Sequence, residues 1–81
     1  MSITIYKTKT CAVCVSLAKY LTHKKKEFTE VYIDDDPKLQ QFVFEKSGGF
    51  LQVPLTVIVK DGMEYNVLGG NIARISELVL S

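Results

Sequence analysis

The only two cysteines of this 81-residue chain lie three positions apart, where a strand pattern changes into a helical one. Residues 2–6, Ser-Ile-Thr-Ile-Tyr, alternate in polarity and predict a first strand. An apolar stripe with helical spacing follows: Cys14, Leu17, Ala18 and Leu21. Cys11 is therefore expected at the N-terminus of a helix, and Cys14 on the buried face of its first turn.

This placement suits the chemistry of a reactive thiol. One helical turn separates two Cα atoms by about 5 Å, a spacing that a disulfide bond tolerates. The unpaired N–H groups and the positive end of the helix dipole stabilise a thiolate at Cys11. Lys7 and Lys9 add positive charge nearby. Because the thiolate is the nucleophile, the pattern predicts a redox-active dithiol.

Length and charge exclude several classes of protein. The chain fits a single domain over residues 1–81. Its net charge of +1 argues against general nucleic-acid binding. The lysines at 24–26 are interpreted as a solvated helix end rather than a phosphate contact, since aspartates at 34–36 balance them. No apolar run approaches the 18 residues of a membrane span.

The cysteines also bear on location and metal binding. The N-terminus lacks the apolar region of a signal peptide, so we expect a cytoplasmic protein. There a catalytic or metal-bound pair is expected rather than a structural disulfide. Tetrahedral zinc needs four ligands, whereas the chain offers two cysteines and the distant His23, interpreted as a surface helix residue. We therefore predict no metal site.

The remaining elements follow from periodicity and turn residues. They are a strand at 28–33, a helix at 37–46, strands at 55–60 and 63–68, and a helix from about residue 71. Asp61-Gly62 predicts a hairpin turn, and Pro54, which cannot donate to a ladder, belongs at a strand entrance. The inward residues of the last two helices are Leu39, Phe42, Val43, Ile72, Ile75, Leu78 and Val79. The fold class is α/β, in the order β-α-β-α-β-β-α with a four-stranded mixed sheet.

Three motifs at the junctions of this order resemble the glutaredoxin superfamily, whose fold is the minimal thioredoxin fold. They are Cys11-Ala12-Val13-Cys14 after the first strand, Val53-Pro54 before the third, and Gly69-Gly70 after the fourth. A lone C-x-x-C is a weak signal, but the three motifs at these positions are together specific.

The resemblance implies a thiol–disulfide oxidoreductase and a role for each motif. Cys11 would attack a disulfide, and Cys14 would resolve the resulting mixed disulfide. Pro54 would follow a cis peptide bond and present the backbone of Val53 to a bound peptide or glutathione. Tyr6 would form an aromatic wall, with ordinary strand packing as its alternative. The predicted substrate-binding residues are Tyr6, Lys9, Ala12, Val13, Val53, Pro54, Gly69 and Gly70.

Two departures distinguish the chain from glutaredoxins proper. Those proteins often carry Cys-Pro-Tyr-Cys, whereas the middle pair here is Ala12-Val13. They also tend to place Ser or Thr and then Asp beyond the Gly-Gly, where these side chains hold the γ-glutamyl end of glutathione. Ile72 and Ala73 stand there in this chain, so glutathione is disfavoured and no resident cofactor is expected.

The run from Gly49 to Pro54, Gly-Phe-Leu-Gln-Val-Pro, is similar to the Gly-Phe-x-Gln-Val-Pro run of NrdH-type redoxins. Those proteins are reduced by thioredoxin reductase and donate electrons to ribonucleotide reductase. Their Trp-Ser-Gly-Phe-Arg-Pro-Asp segment is represented only by Val-Leu-Gly-Gly-Asn at 67–71. We predict a monomeric NrdH-like donor to protein disulfides. The alternatives are a glutathione-dependent glutaredoxin and a glutaredoxin-like protein whose iron–sulfur cluster is shared between two chains.

Overall fold

The structure is a computed structural model, and it describes residues 1–49 and 53–80. Its elements are β1 (Ser2–Lys7), α1 (Ala12–His23), β2 (Thr29–Tyr32), α2 (Pro37–Lys46), β3 (Leu55–Lys60), β4 (Met63–Leu68) and α3 (Ile72–Leu80). The predicted order is confirmed, and α2, β3 and β4 have the predicted bounds. The middle of the Gly49-to-Pro54 run, residues 50–52, lies outside the described residues.

The four strands form one mixed sheet in the order β2-β1-β3-β4. β1 is parallel to β2 and antiparallel to β3, and β3 is antiparallel to β4. Tyr6 pairs with Leu55, which pairs in turn with Leu68. The end of β1, the start of β3 and the end of β4 therefore meet at one edge of the sheet. The three motifs singled out in the sequence all lie in the connections at that edge.

Side chains alternate between two apolar layers, because successive residues of a strand point to opposite faces. Helices α1 and α3 cover one face, where Leu17 and Ile75 pack with Ile5 and Ile58. Helix α2 covers the other face, where Val43 packs with residues of β3 and of the turn after β2. The fold is thus a sheet between two helices on one side and one on the other.

Local sequence sets where α2 begins and ends. Asp36 is its N-cap and accepts hydrogen bonds from the N–H groups of Lys38 and Leu39 at 3.0 and 3.2 Å. Pro37 occupies the first turn, where its missing N–H costs nothing. The helix ends before Gly48, whose φ of 75° is a conformation that glycine adopts freely.

The first two strands differ slightly from the prediction. β1 continues to Lys7, because that residue pairs with Tyr32 of the parallel strand. β2 is shorter than predicted, since only residues 29–32 pair with β1. Phe28 and Ile33 flank it and pack into the two apolar layers instead.

Candidate active site

The dithiol lies at the turn between β1 and α1. Cys11 is the N-cap of α1, and its Sγ accepts a hydrogen bond from the N–H of Cys14 at 3.2 Å. The two cysteines form a disulfide with a Cα–Cα distance of 5.3 Å. Sulfur thus takes the place that a Ser, Thr, Asp or Asn oxygen usually has at an N-cap. The predicted position of Cys11 at the helix start is confirmed.

The two cysteines differ in exposure, as the apolar stripe of the helix predicts. Cys14 is 1% exposed, whereas Cys11 is partly exposed. Once the disulfide is reduced, the N–H of Cys14 and the helix dipole both favour a thiolate at Cys11. The first turn of α1 contains no carboxylate that would oppose this effect. The geometry therefore places one accessible sulfur at the helix start and one buried sulfur behind it.

The two lysines before Cys11 contribute less positive charge than the sequence suggests, because each pairs with a carboxylate. Lys7 is 7% exposed, and its Nζ donates to Glu30 at 2.5 Å and lies 5.0 Å from the ring centroid of Tyr32. The hydrogen bond to Glu30 raises the pKa of Lys7 above its ordinary value, although burial opposes it. Lys9 is exposed, and its Nζ lies 3.8 Å from Asp35.

The other two motifs adjoin this turn. The Val53–Pro54 peptide bond is cis, as the resemblance implied. The carbonyl of Pro54 accepts a hydrogen bond from the N–H of Gly69 at 2.8 Å. Next to it, a Cβ on Gly70 would lie only 2.5 Å from Cγ1 of Val13. One hydrogen bond and one close packing contact therefore connect the proline, the glycine pair and the C-x-x-C segment.

The remaining predicted binding residues divide between surface and core. Ala12 and Val13 are exposed on the first turn of α1. Tyr6 is partly buried, and its ring packs on that of Phe42 with centroids 5.0 Å apart. This contact matches the alternative interpretation of Tyr6 as a packing residue of its strand. Its role as a wall for substrate stays a prediction.

Asp34 is a site residue that the sequence analysis missed. Its two carboxylate oxygens accept hydrogen bonds from the N–H of Lys9 at 3.1 and 3.2 Å. It therefore fixes the backbone two residues before Cys11. The aspartate run therefore does more than balance the lysines at 24–26, since Asp36 also caps α2. The available signal was the parallel pairing of the first two strands, whose carboxyl ends lie at the same edge of the sheet.

Within residues 1–49 and 53–80, no group of three or more His, Cys, Asp or Glu side chains is arranged to hold a metal ion. None of the helices in the same part of the chain has the length and apolar character needed to cross a membrane.

Comparison with known proteins agrees with this geometry. The family model for glutaredoxin matches residues 3–62. The glutaredoxin from Archaeoglobus fulgidus has a similar structure, with 25% identity, a TM-score of 0.77, and coverage of 99% of this chain and 87% of that one. For the glutaredoxin from Methanosarcina mazei Go1 the identity is 26% and the TM-score 0.73, over 94% and 75% of the two chains.

The thioredoxin-like protein BC3987, in its T8A mutant, has the same fold at 23% identity, with a TM-score of 0.78 over 98% of this chain and 95% of that one. No curated protein sequence matches this chain. The fold and the C-x-x-C pair at the start of a helix define the class of thioredoxin-fold thiol–disulfide oxidoreductases. Within that class, the chain belongs to the glutaredoxin family.

Proposed function

We propose that this glutaredoxin-family protein is an NrdH-like dithiol electron donor that reduces protein disulfides. Thioredoxin reductase is its proposed reductant, and ribonucleotide reductase is the type of substrate that it would serve. The protein would act as a monomer, without a resident cofactor. The glutathione-dependent glutaredoxin is the alternative.

The reaction follows from the two cysteines. The thiolate of Cys11 attacks one sulfur of the substrate disulfide, forms a mixed disulfide and releases the other sulfur as a thiolate. Cys14, deprotonated in its turn, then attacks Sγ of Cys11, which forms the Cys11–Cys14 disulfide and releases the second substrate thiolate. The substrate gains two electrons and, after protonation, two thiols. The reductant returns two electrons and two protons to the protein disulfide.

The observation that supports thioredoxin reductase over glutathione is the start of α3. Glutaredoxins place a hydroxyl and a carboxylate there to hold the charged γ-glutamyl end of glutathione. Here Ile72 is partly buried and packs against the core formed with α1, and Ala73 is exposed. The side-chain oxygen of the preceding Asn71 accepts a hydrogen bond from the N–H of Arg74 at 3.1 Å, so Asn71 caps the helix. Neither Ile72 nor Ala73 offers a side-chain hydrogen bond.

The expected loss of glutathione affinity supports thioredoxin reductase as the proposed reductant. Hydrogen bonds to charged groups contribute about 1.5–3 kcal/mol each. Losing one or two of them weakens glutathione binding by roughly 10-fold to 20,000-fold, at about 1.4 kcal/mol per decade. A reductase that recognises a protein surface around the dithiol does not depend on these contacts.

The test is NADPH oxidation in two parallel assays with one disulfide substrate. One assay contains thioredoxin reductase, and the other contains glutathione reductase and glutathione. We expect turnover with thioredoxin reductase and little with glutathione. The variant Cys11→Ser is the control, because it should abolish turnover in both. Strong glutathione-dependent activity, with none from thioredoxin reductase, would assign the protein to the glutathione-dependent glutaredoxins.

A further inference from the structure

A cavity of about 290 Å³ lies at the same edge of the sheet as the dithiol. Its lining residues are Thr8, Ile33, Asp34, Gln40 and Val53. It is bounded by the loop that leads to Cys11, by the turn after β2, and by the residue before the cis proline. Thr8 precedes Cys11 by three residues, a span of at most about 10 Å. A substrate whose disulfide reaches Cys11 can therefore place a neighbouring side chain in this cavity.

The polar groups of the cavity are mainly hydrogen-bond acceptors. The Nε2 of Gln40 donates to the carbonyls of Ile33 and Asp34 at 2.8 and 2.9 Å. These bonds use both amide hydrogens, so the Gln40 oxygen remains as an acceptor. The Asp34 carboxylate receives the N–H of Lys9, and an ionised carboxylate accepts about four hydrogen bonds. Among the described lining side chains, the Thr8 hydroxyl is the one that can still both donate and accept.

The charges around the cavity also favour a hydrogen-bond donor as its ligand. Asp34 carries a negative charge, and its described hydrogen-bond donor is a backbone N–H rather than a cation. The nearby ammonium of Lys9 lies 3.8 Å from Asp35, and Asp36, one residue further, caps α2. Residues 50–52, which precede Val53 in the sequence, are Phe-Leu-Gln and add no charge. A donor group with positive charge fits this environment, and a carboxylate is repelled.

We propose that this cavity is a specificity subsite that receives an arginine or lysine side chain next to the disulfide of the substrate. The inference rests on the proposed function, and it defines the disulfides that the dithiol reduces best. It would also disfavour the binding of glutathione in this cavity, since the two carboxylates of glutathione outnumber its single ammonium group.

The test uses three peptide disulfides that differ in a single residue beside the cysteine: Arg, Gln or Glu. Reduction by the dithiol form of the unmodified protein is followed at low ionic strength. We expect kcat/KM to fall in the order Arg, Gln, Glu, with about 1.5- to 5-fold between Arg and Gln, the range of an exposed charge pair. The preference should shrink as added salt screens the charges.

The variant Asp34→Asn should remove most of this preference, because the amide oxygen still accepts one hydrogen bond from Lys9 but carries no charge. Asp61→Asn is the matched control. It makes the same charge change at the exposed β3–β4 turn, at the opposite end of β3, and should leave the order and size of the preference intact. Equal rates for the three peptides with unmodified protein would overturn the inference, as would a preference for Glu.

A neutral small disulfide, bis(2-hydroxyethyl) disulfide, separates this inference from the proposed function. If the protein reduces that compound but reduces the three peptides at equal rates, the proposed oxidoreductase function is supported and the subsite is rejected. Failure to reduce both this compound and all three peptides removes the proposed function, and the subsite is then tested by NMR titration of Cys11→Ser with a disulfide-free Arg peptide. Shifts of the Lys9 and Asp34 amides with that peptide, and not with its Glu counterpart, support the subsite; their absence rejects it. Equal thermal midpoints for Asp34→Asn and unmodified protein show that the substitution leaves the global fold intact.

Discussion

The side chain of Val13 occupies the space beside the backbone of Gly70, so that a Cβ at position 70 would lie 2.5 Å from Cγ1 of Val13. The constraint is one of space, since the φ angle of Gly70 lies outside the left-handed region. The contact joins the middle of the C-x-x-C segment to the glycine pair after β4. A side chain at position 70 would therefore force the side chain of Val13 to move.

This contact gives a prediction about stability. Gly70→Ala should lower the free energy of unfolding by about 1–3 kcal/mol, the usual cost of forcing extra atoms into a packed contact. The double variant Val13→Ala/Gly70→Ala should recover most of the loss, because the obstructing methyl groups are gone. Urea unfolding of the four members of this cycle measures the coupling, expected at about 0.5–3 kcal/mol. If the changes in the free energy of unfolding are strictly additive, the side chain of Val13 changes its conformation without an energetic cost.

The difference in exposure between the two cysteines predicts their order of reaction. In the reduced protein Cys11 should be alkylated about ten-fold faster than Cys14 at neutral pH, since it is accessible and its thiolate is stabilised at the helix start. Alkylation rates measured against pH, with peptide mapping of the labelled site, test this. Cys14→Ser should also trap a mixed disulfide on Cys11, whereas Cys11→Ser should trap none. Faster labelling of Cys14 below neutral pH would reverse the assignment.

The start of α3 predicts that glutathione activity can be introduced. Ala73→Asp places a carboxylate on an exposed position of the first helical turn, where it faces the favourable end of the dipole. We expect glutathione-dependent turnover to rise by about ten-fold, the effect of one hydrogen bond to a charged group. Ala73→Asn is the matched control without charge and should give a smaller increase. An unchanged rate in both variants would show that this position does not face the bound reductant.

Stability should depend on pH through the ion pair that joins α2 to β4. The Nζ of Lys46 donates to Glu64 at 2.7 Å, and Asn66 donates to the same oxygen at 3.4 Å. These hydrogen bonds, that of Lys46 first, hold the pKa of Glu64 below its ordinary value. The contribution is therefore present above the unfolded pKa of about 4.3 and is lost as pH falls through the lower folded value.

The measurement is the urea midpoint between pH 7 and pH 2 for the unmodified protein and Glu64→Gln. The two midpoints should differ at pH 7 and converge in acid. Glu27→Gln changes an exposed carboxylate outside this pair and should follow the unmodified protein across the range. A gap between Glu64→Gln and the unmodified protein that stays constant down to pH 2 would mean that the ion pair does not contribute through its charge.

Local sequence was enough to predict the order of the elements and the position of the dithiol at a helix start. The bounds of α2 follow from Asp36, Pro37 and Gly48, which act on backbone groups within a few residues. The relative exposure of Cys11 and Cys14 likewise follows from helical periodicity, a property of neighbours three and four residues apart. These are local effects, so they are present in the chain before any long-range contact forms.

Which distant residues meet at the site depends on the order and register of the strands. The pairing of Lys7 with Tyr32 in the parallel ladder brings Lys7 to Glu30, 23 residues away. The same alignment brings Asp34 to the backbone of Lys9. The antiparallel pairing of β3 with β4 brings the chain back to the end of the sheet where the dithiol lies, so that Gly70 contacts Val13. Such contacts depend on strand order and register, which the whole core selects by burying one set of alternating side chains on each face. No pattern confined to one segment contains that information.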